Sequence, residues 1–399
     1  MATKRGRGDG YYQSEYSNAK RERVRGGLLR VILRGIDVVM MIVSVVAVVG
    51  VLSGCLARVV DPRSTAIFTL AGLFYQIFYY LTIGCALWWA IRWRRWFFAM
   101  AAVLLVSVAN VGLIWRPDMV RSTPEVERTR DDIVMVSYNV ANFKNLPTDE
   151  DCYEGVCEWL GSQNAGIIAL QEAEFTEERS VTDLRDRLPR INYSLFVNAI
   201  PEQRESRTGC GYALLSTWPI VRHGVADSDE NNVNAIWADL KIGRDTVRVV
   251  NVHLQSTGIS YEERFETLSA QIVNDTLART KLLNVAEKMA ENYRIRAGEA
   301  ESVATVVADS PHAVVVCGDF NDTPVSYTYR TMRSRKLDDA FVSCGRGVEY
   351  TYRGLYDLFR IDYILPESER FDIKEYGSYD LDYSDHKAIS ARLLLIEEE

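Results

Sequence analysis

Apolar and polar positions follow two different regimes along this chain. In the first third, charge vanishes for long stretches: Val38–Ala57, Ser64–Ile91 and Trp96–Trp115 contain no Asp, Glu, Lys or Arg. Each run holds 20 residues or more, and a helix of about 20 residues crosses the ~30 Å hydrocarbon core of a bilayer. The pattern predicts three transmembrane helices, at about 36–57, 66–91 and 96–115, within a region spanning 31–116. A buried helical core could show such runs, but three in succession leave too little polar sequence to cover them. A cleaved signal peptide fits poorly, because the first run starts late and more spans follow.

From residue 131 the runs shorten and become rich in β-branched residues. Strands are predicted at Ile133–Tyr138, Ile167–Leu170, Ser194–Val197, Tyr212–Ser216, Ile236–Leu240, Thr246–His253, Ala313–Cys317, Ile361–Leu365 and Ala388–Leu395. The composition of Glu262–Asp309 is helical, dominated by Ala, Leu, Glu, Lys and Arg. "RPDMVRSTPEVERTR" has two prolines and dense charge, making 117–130 a linker ahead of a domain at 131–397.

Charge divides the chain at the same place. Residues 1–130 carry 18 Lys+Arg against 8 Asp+Glu, or +10, and the remainder carries 28 against 46, or −18. Residues 1–30, polar and rich in Gly and Arg, are expected to form a disordered cytoplasmic tail. Arg92, Arg94 and Arg95 separate the second and third spans, whereas the first loop carries only Arg58 and Arg63. Basic loops stay cytoplasmic, so the acidic domain is expected outside, with Arg116 and Arg121 weakening that bias. Of the seven cysteines, two lie in the apolar runs, and the other five have no framework spacing. Cys152 and Cys157 could still bridge in an oxidising compartment.

The predicted strands end alike. "VMVSYNVANF" brings Asn139 to a strand tip, "IIALQEAE" brings Gln171 and Glu172, and "VRVVNVHLQS" brings Asn251 and His253. "VVVCGDFNDTP" delivers Asp319 and Asn321, "RIDYIL" delivers Asp362, and "YSDHKAIS" delivers Asp385 and His386. One carboxylate at a strand end is ordinary turn chemistry; six polar tips can build a site along a sheet edge. Phosphoester hydrolysis with a hard divalent cation suits them. Magnesium takes one or two carboxylates plus water and substrate phosphate, making Glu172 the best single ligand with Asn139 beside it. Asp319 could orient or deprotonate the attacking water, and Asn321, two residues on, faces the same way. A protonated His386 beside Asp362 would neutralise charge developing on the phosphate. His223 and His312 lack such a context, Asp322 reads as a turn residue before Pro324, and Tyr327 and Tyr329 read as packing.

"SYNV", "QE", "NVH", "GDFND", "RIDYI" and "SDH", in that order, resemble the endonuclease/exonuclease/phosphatase superfamily over residues 131–397. The resemblance implies a four-layer α/β sandwich, two packed sheets flanked by helices. It implies Mg²⁺ or Mn²⁺ bound through Glu172 and Asn139, with Asp385 at a second position. It also implies that Asp319 activates water, Asn321 holds the phosphate and Asp362 orients His386. His253 matches the histidine that deoxyribonuclease- and sphingomyelinase-like members place near the leaving group, where abasic-site endonucleases have Tyr. Asn251, and Arg207 in "RTGCGYALLSTWPI", are expected substrate contacts.

The substrate is narrowed only in part. Duplex binders neutralise phosphates with Lys and Arg, which a domain at −18 supplies poorly. A nucleic acid, a phospholipid headgroup and a sugar phosphate all remain candidate phosphoesters, with the bilayer as the other partner; no protein partner is readable. The competing class is a catalytically inactive membrane protein that uses the fold for binding.

Overall fold

The computed structural model describes residues 9–117, 132–145, 148–258, 276–333, 336–354 and 357–396. Most of the predicted linker and the first part of the predicted Glu262–Asp309 helix lie outside them. The chain divides into two units, Met1–Leu52 with Gln76–Val106, and Ser53–Tyr75 with Ser107–Glu399.

The helical region comprises α1 (Asp9–Ala57), α2 (Ile67–Leu73), α3 (Tyr75–Ile91), α4 (Trp96–Val106) and α5 (Val108–Ile114). Leu29–Ala57 is by itself long and apolar enough to cross a membrane. The second and third predicted spans reach that length only as the pairs α2 with α3 and α4 with α5, each sharply bent at its break. The breaks fall at Phe74, two residues after Gly72, and at Ser107; glycine and serine are among the residues found at helix kinks. Helix α1 already begins at Asp9, inside the tail expected to be disordered. Once an apolar helix exists, adding one residue costs far less than nucleation, and Ala19–Arg23 are good helix formers. Within the first unit, Arg92 pairs with Asp37 at 2.9 Å and the Trp89 indole donates to Ser44 at 2.9 Å. These bonds join segments otherwise packed through Trp89, Cys85 and Met100.

Among the described residues, the second unit is built on eleven principal strands. They are β1 (Asp132–Asn139), β2 (Ile167–Phe175), β3 (Tyr193–Asn198), β4 (Gly209–Ser216), β5 (Ile220–Ser228), β6 (Val233–Ile242), β7 (Asp245–His253), β8 (Ala313–Asp319), β9 (Asp362–Pro366), β10 (Phe371–Tyr379) and β11 (Ala388–Leu395). One sheet has the order β10-β11-β1-β2-β4-β3 and the other β9-β8-β7-β6-β5. The neighbours β1 and β2 are parallel, as are β7 and β8. The sheets pack face to face through Ile133, Met135, Ile167, Ala169, Val247, Val249, Ala313, Val315 and Cys317. Alternate residues face outward. Val136, Tyr138, Ile168 and Leu170 pack against α6 (Tyr153–Ser162) and α7 (Val181–Asp186). Val250, Val252, Val314 and Val316 pack against α8 (Thr276–Ala308) and α9 (Tyr327–Met332). This is the expected four-layer α/β sandwich.

All nine predicted strands form. The two the pattern missed, β5 and β10, are edge strands. Each has one weakly buried face and a slipped register, at Ile220/Arg222 and at Ile373/Glu375, which blurs the period-2 signal. All seven cysteines are free thiols, Cys152 and Cys157 included.

Candidate active site

The period-2 alternation that fills the inter-sheet core also builds the site. On β1, Ile133 and Met135 point inward, so Ser137 and Asn139 do too. The same phase carries Gln171 on β2, Asn251 and His253 on β7, and Asp319 on β8 into the inter-sheet space. Parallel pairing brings tips together: Asn139 registers with Gln171, and His253 with Asp319. Antiparallel β9 begins opposite β8, setting Asp362 against Asp319. Gly318 permits this crowding, since its φ of +124° is left-handed and a Cβ would stand 2.1 Å from the Val252 carbonyl oxygen.

Asp319 lies at the centre and is 1 % exposed. Its Oδ1 accepts from the Asn321 backbone N–H at 2.8 Å. Its Oδ2 accepts from the side-chain amides of Asn139 and Asn321, both at 3.2 Å. Two imidazoles face that same oxygen, His253 Nε2 and His386 Nε2 each 3.7 Å away. His386 Nδ1 lies 3.0 Å from Asp362 Oδ2, and Thr351 Oγ1 accepts from the Asp362 backbone N–H at 3.1 Å. Ser384 Oγ donates to the Asn139 carbonyl at 2.8 Å and accepts from His386 N–H at 3.1 Å, tying the "SDH" turn to the tip of β1.

Glu172 sits at a bulge in β2 with a left-handed φ of +50°. The irregularity breaks the alternation and turns its carboxylate to the mouth of the site. There it accepts from Asn139 Nδ2 at 3.0 Å and lies 3.3 Å from His253 Nε2. Both left-handed non-glycine residues of the site, Glu172 and Asn321 (φ +52°), belong to its chemical groups.

Glu172, His253, Tyr212, Cys210, Asn232, Asn234, Gln255 and Ser256 line much of a cavity of about 340 Å³. Arg207 is exposed and is not among its lining residues. Asn251, expected to touch substrate, is wholly buried. Its Nδ2 donates to the Leu170 carbonyl at 3.0 Å and its Oδ1 accepts from Gln171 Nε2 at 2.6 Å, so the pair bridges the two sheets beneath the site. Asn139 turns its amide nitrogen to the carboxylates and its Oδ1 to the Ala141 N–H, at 3.1 Å. Sequence reasoning missed Thr351 and Ser384. Thr351 has no motif signal, while Ser384 stood inside "SDH" unused.

The electrostatics follow from burial. Burial pushes the Asp362 carboxyl up to about 6, with His386 opposing. Burial lowers the affinity of His386 for a proton, yet Asp362 and Asp319 more than restore it, and the imidazole titrates well above its ordinary value. Asp385 is raised by burial, with Glu172 and Asp319 adding to the effect and His386 opposing it. Glu172 is pushed up by burial but held lower overall by His253 and Asn139. The site thus gathers hard oxygen donors whose negative charge is incompletely matched. Ligand atoms of Asp319, Asp362 and His386 lie within 4.8 Å of one another. In that group His386 Nδ1 and Asp362 Oδ2 already face each other at 3.0 Å, so the Glu172 carboxylate at the mouth is the hard oxygen donor that suits a divalent cation.

The model of the family described as "Endonuclease/Exonuclease/phosphatase family" matches residues 136–386. The chain belongs to that family. Members of that family hydrolyse phosphoester bonds. A second family model, described only as a domain of unknown function, matches residues 37–113. Protein angel homolog 2 of Danio rerio is 25 % identical over 272 residues, which is 59 % of this chain and 42 % of that protein. The chain therefore spans less than half the length of that curated relative. Among solved structures, the human Nocturnin catalytic domain with bound sulfate anion matches with a TM-score of 0.44 and 16 % identity, over 67 % of this chain and 94 % of that one. An endonuclease/exonuclease/phosphatase from Beutenbergia cavernae matches with a TM-score of 0.47 and 15 % identity, over 67 % and 72 %.

Proposed function

We propose that this chain is a membrane-anchored, divalent-metal-dependent phosphoesterase that cleaves a phosphodiester with an activated water. The observation that carries this is the convergence of His386, His253, Asn139 and Asn321 on one buried carboxylate oxygen, Asp319 Oδ2, with Glu172 alongside. Asp319 takes the proton of the attacking water. The two amides that bond it fix its plane and leave it the base of the site. Asn321, whose amide nitrogen donates to the Leu254 carbonyl and to Asp319 Oδ2, offers its Oδ1 to the attacking water next to that carboxylate. Asp362 holds His386 with Nδ1 occupied, so that Nε2 presents a proton to a phosphate oxygen as charge grows there. His253, at the cavity side, serves the leaving oxygen. Glu172, with Asp385 near it, would hold Mg²⁺ or Mn²⁺, which would supply charge neutralisation at the phosphate; Asn139, whose Oδ1 accepts from Ala141 N–H, would join the ligands only with its amide turned over.

A nuclease and a phospholipid-type phosphodiesterase are the two forms of this function. The apolar helix Leu29–Ala57 supports anchoring, and the excess of Lys and Arg before it and between the later apolar runs supports a cytoplasmic N-terminus with the catalytic unit outside. Hydrolysis of bis(p-nitrophenyl) phosphate by the full chain with Mg²⁺, and its loss in Asp319→Ala and His386→Ala, is the direct test. Turnover undiminished in both variants refutes the assignment.

A further inference from the structure

The second unit contains more than the hydrolase domain. The loop after α1, helix α2 and helix α5 all pack into it. Leu73, 8 % exposed, is buried with Met289, Tyr293, Tyr352, Phe359 and Ile361. The Phe74 ring meets Phe359 edge-on with centroids 6.3 Å apart. Gly72 lies so close to the loop following the catalytic "GDFND" segment that a Cβ would stand 2.5 Å from the Val325 carbonyl oxygen. Polar ties reinforce the seat: Arg63 pairs with Glu301, and Arg360 Nη2 donates to the Leu113 carbonyl at 3.0 Å. Leu113 of α5 is buried in the same cluster as Phe320, the residue between Asp319 and Asn321 in sequence.

This packing continues to the chemistry. The backbone N–H groups of Thr351 and Tyr352 both donate to the Phe359 carbonyl, at 2.9 and 3.1 Å. The Tyr352 ring lies against the His386 ring with centroids 5.1 Å apart, and Tyr352 also forms a β-bridge with His386. Thr351, next in the chain, anchors Asp362 through its hydroxyl. A continuous series of ring and backbone contacts therefore runs from Phe74 through Phe359 and Tyr352 to His386.

We propose that the α2 segment is a positioning element of the catalytic site: Gly72, Leu73 and Phe74 hold His386 and Asp362 in register through Phe359 and Tyr352. The inference rests on the assignment of His386 to the chemistry. Its consequence is that the working enzyme begins near Ser53 rather than at the start of the hydrolase fold. Activity then depends on the chain that enters and leaves the apolar region.

The test uses the full chain in lipid nanodiscs of phosphatidylethanolamine and phosphatidylglycerol, with bis(p-nitrophenyl) phosphate and Mg²⁺. In Phe74→Ala and Gly72→Ala, kcat is expected to fall about 10- to 100-fold, the scale of a ~1 Å misplacement. KM should stay within about twofold, and Phe74→Leu should recover much of the rate. An activity-independent readout separates this from failure of the functional assignment. The chain has four histidines, so the ¹H–¹⁵N imidazole signals of His386 can be assigned by His386→Gln. They should shift in Phe74→Ala while those of His223 stay in place. Unchanged kcat with unchanged His386 signals overturns the proposal. So does a rate loss that tracks only a lowered melting temperature, or unmoved His386 signals in a chain without hydrolytic activity.

Discussion

His386 Nδ1 stands 3.0 Å from Asp362 Oδ2, and both side chains are almost fully buried. The contact fixes which imidazole nitrogen is occupied and directs the other toward Asp319. Asp362→Asn keeps the shape and removes the charge. It should lower kcat about 10²–10⁴-fold, the usual span for acid–base assistance, with KM changed only a few-fold. Steady-state kinetics on bis(p-nitrophenyl) phosphate give the answer, and an unaltered kcat would remove the pair from the mechanism.

The same pair sets the sign of a pH effect. His386 is held protonated well above its ordinary value, so a reaction that needs its proton should keep its rate through neutral pH. The fall caused by His386 losing its proton should lie on the alkaline side. In Asp362→Asn the loss should begin at lower pH. A pH–kcat profile for the two proteins distinguishes these outcomes.

Metal removal should abolish turnover. After chelation with EDTA, activity should return with Mg²⁺ or Mn²⁺, and Glu172→Gln should need a higher metal concentration for half-maximal rate. A full rate after exhaustive chelation would contradict metal dependence.

Glu299 on α8 is 5 % exposed and accepts from the Gln255 N–H at 2.7 Å. Burial pushes its carboxyl up to about 7, against the Gln255 and Arg296 contributions. With an ordinary value of 4.5 in the unfolded chain, the folded protein binds the proton more tightly. Stability should therefore fall as pH rises from about 4.5 to 7 and then level off, by about 3 kcal/mol at most for this group. Glu299→Gln should flatten that slope in a series of thermal melts. An identical slope in both proteins would show that Glu299 titrates normally.

Membrane topology yields to a fusion. An alkaline-phosphatase reporter after residue 399 should be active, because that enzyme matures only outside the cytoplasm. Activity confined to a cytoplasmic reporter at the same position would reverse the orientation.

Much of this molecule was legible because one alternation serves two purposes. Runs such as Ala313–Cys317 announced buried strands, and the polar residues at their ends inherited the same inward phase. Motif order then separated Asp319 and His386 from ordinary turn residues. What stayed hidden depended on partners far away in sequence. Asn251 looked like a site residue because it shares the phase of His253, yet Gln171 from the opposite sheet claims its amide. The breaks at Phe74 and Ser107 lie inside stretches that read as uninterrupted spans, since hydropathy records composition and is blind to what a half-helix packs against. Thr351 gave no signal, as its hydroxyl matters only once β9 has been laid beside it.

The Gln171–Asn251 bridge has a bearing on how such an enzyme can diversify. A 2.6 Å bond ties the two sheets directly below the candidate site and adds about 1 kcal/mol to the apolar packing that already holds them. A change at this floor breaks a buried amide pair as well as altering the cleft, whereas a change at the rim does not carry that cost.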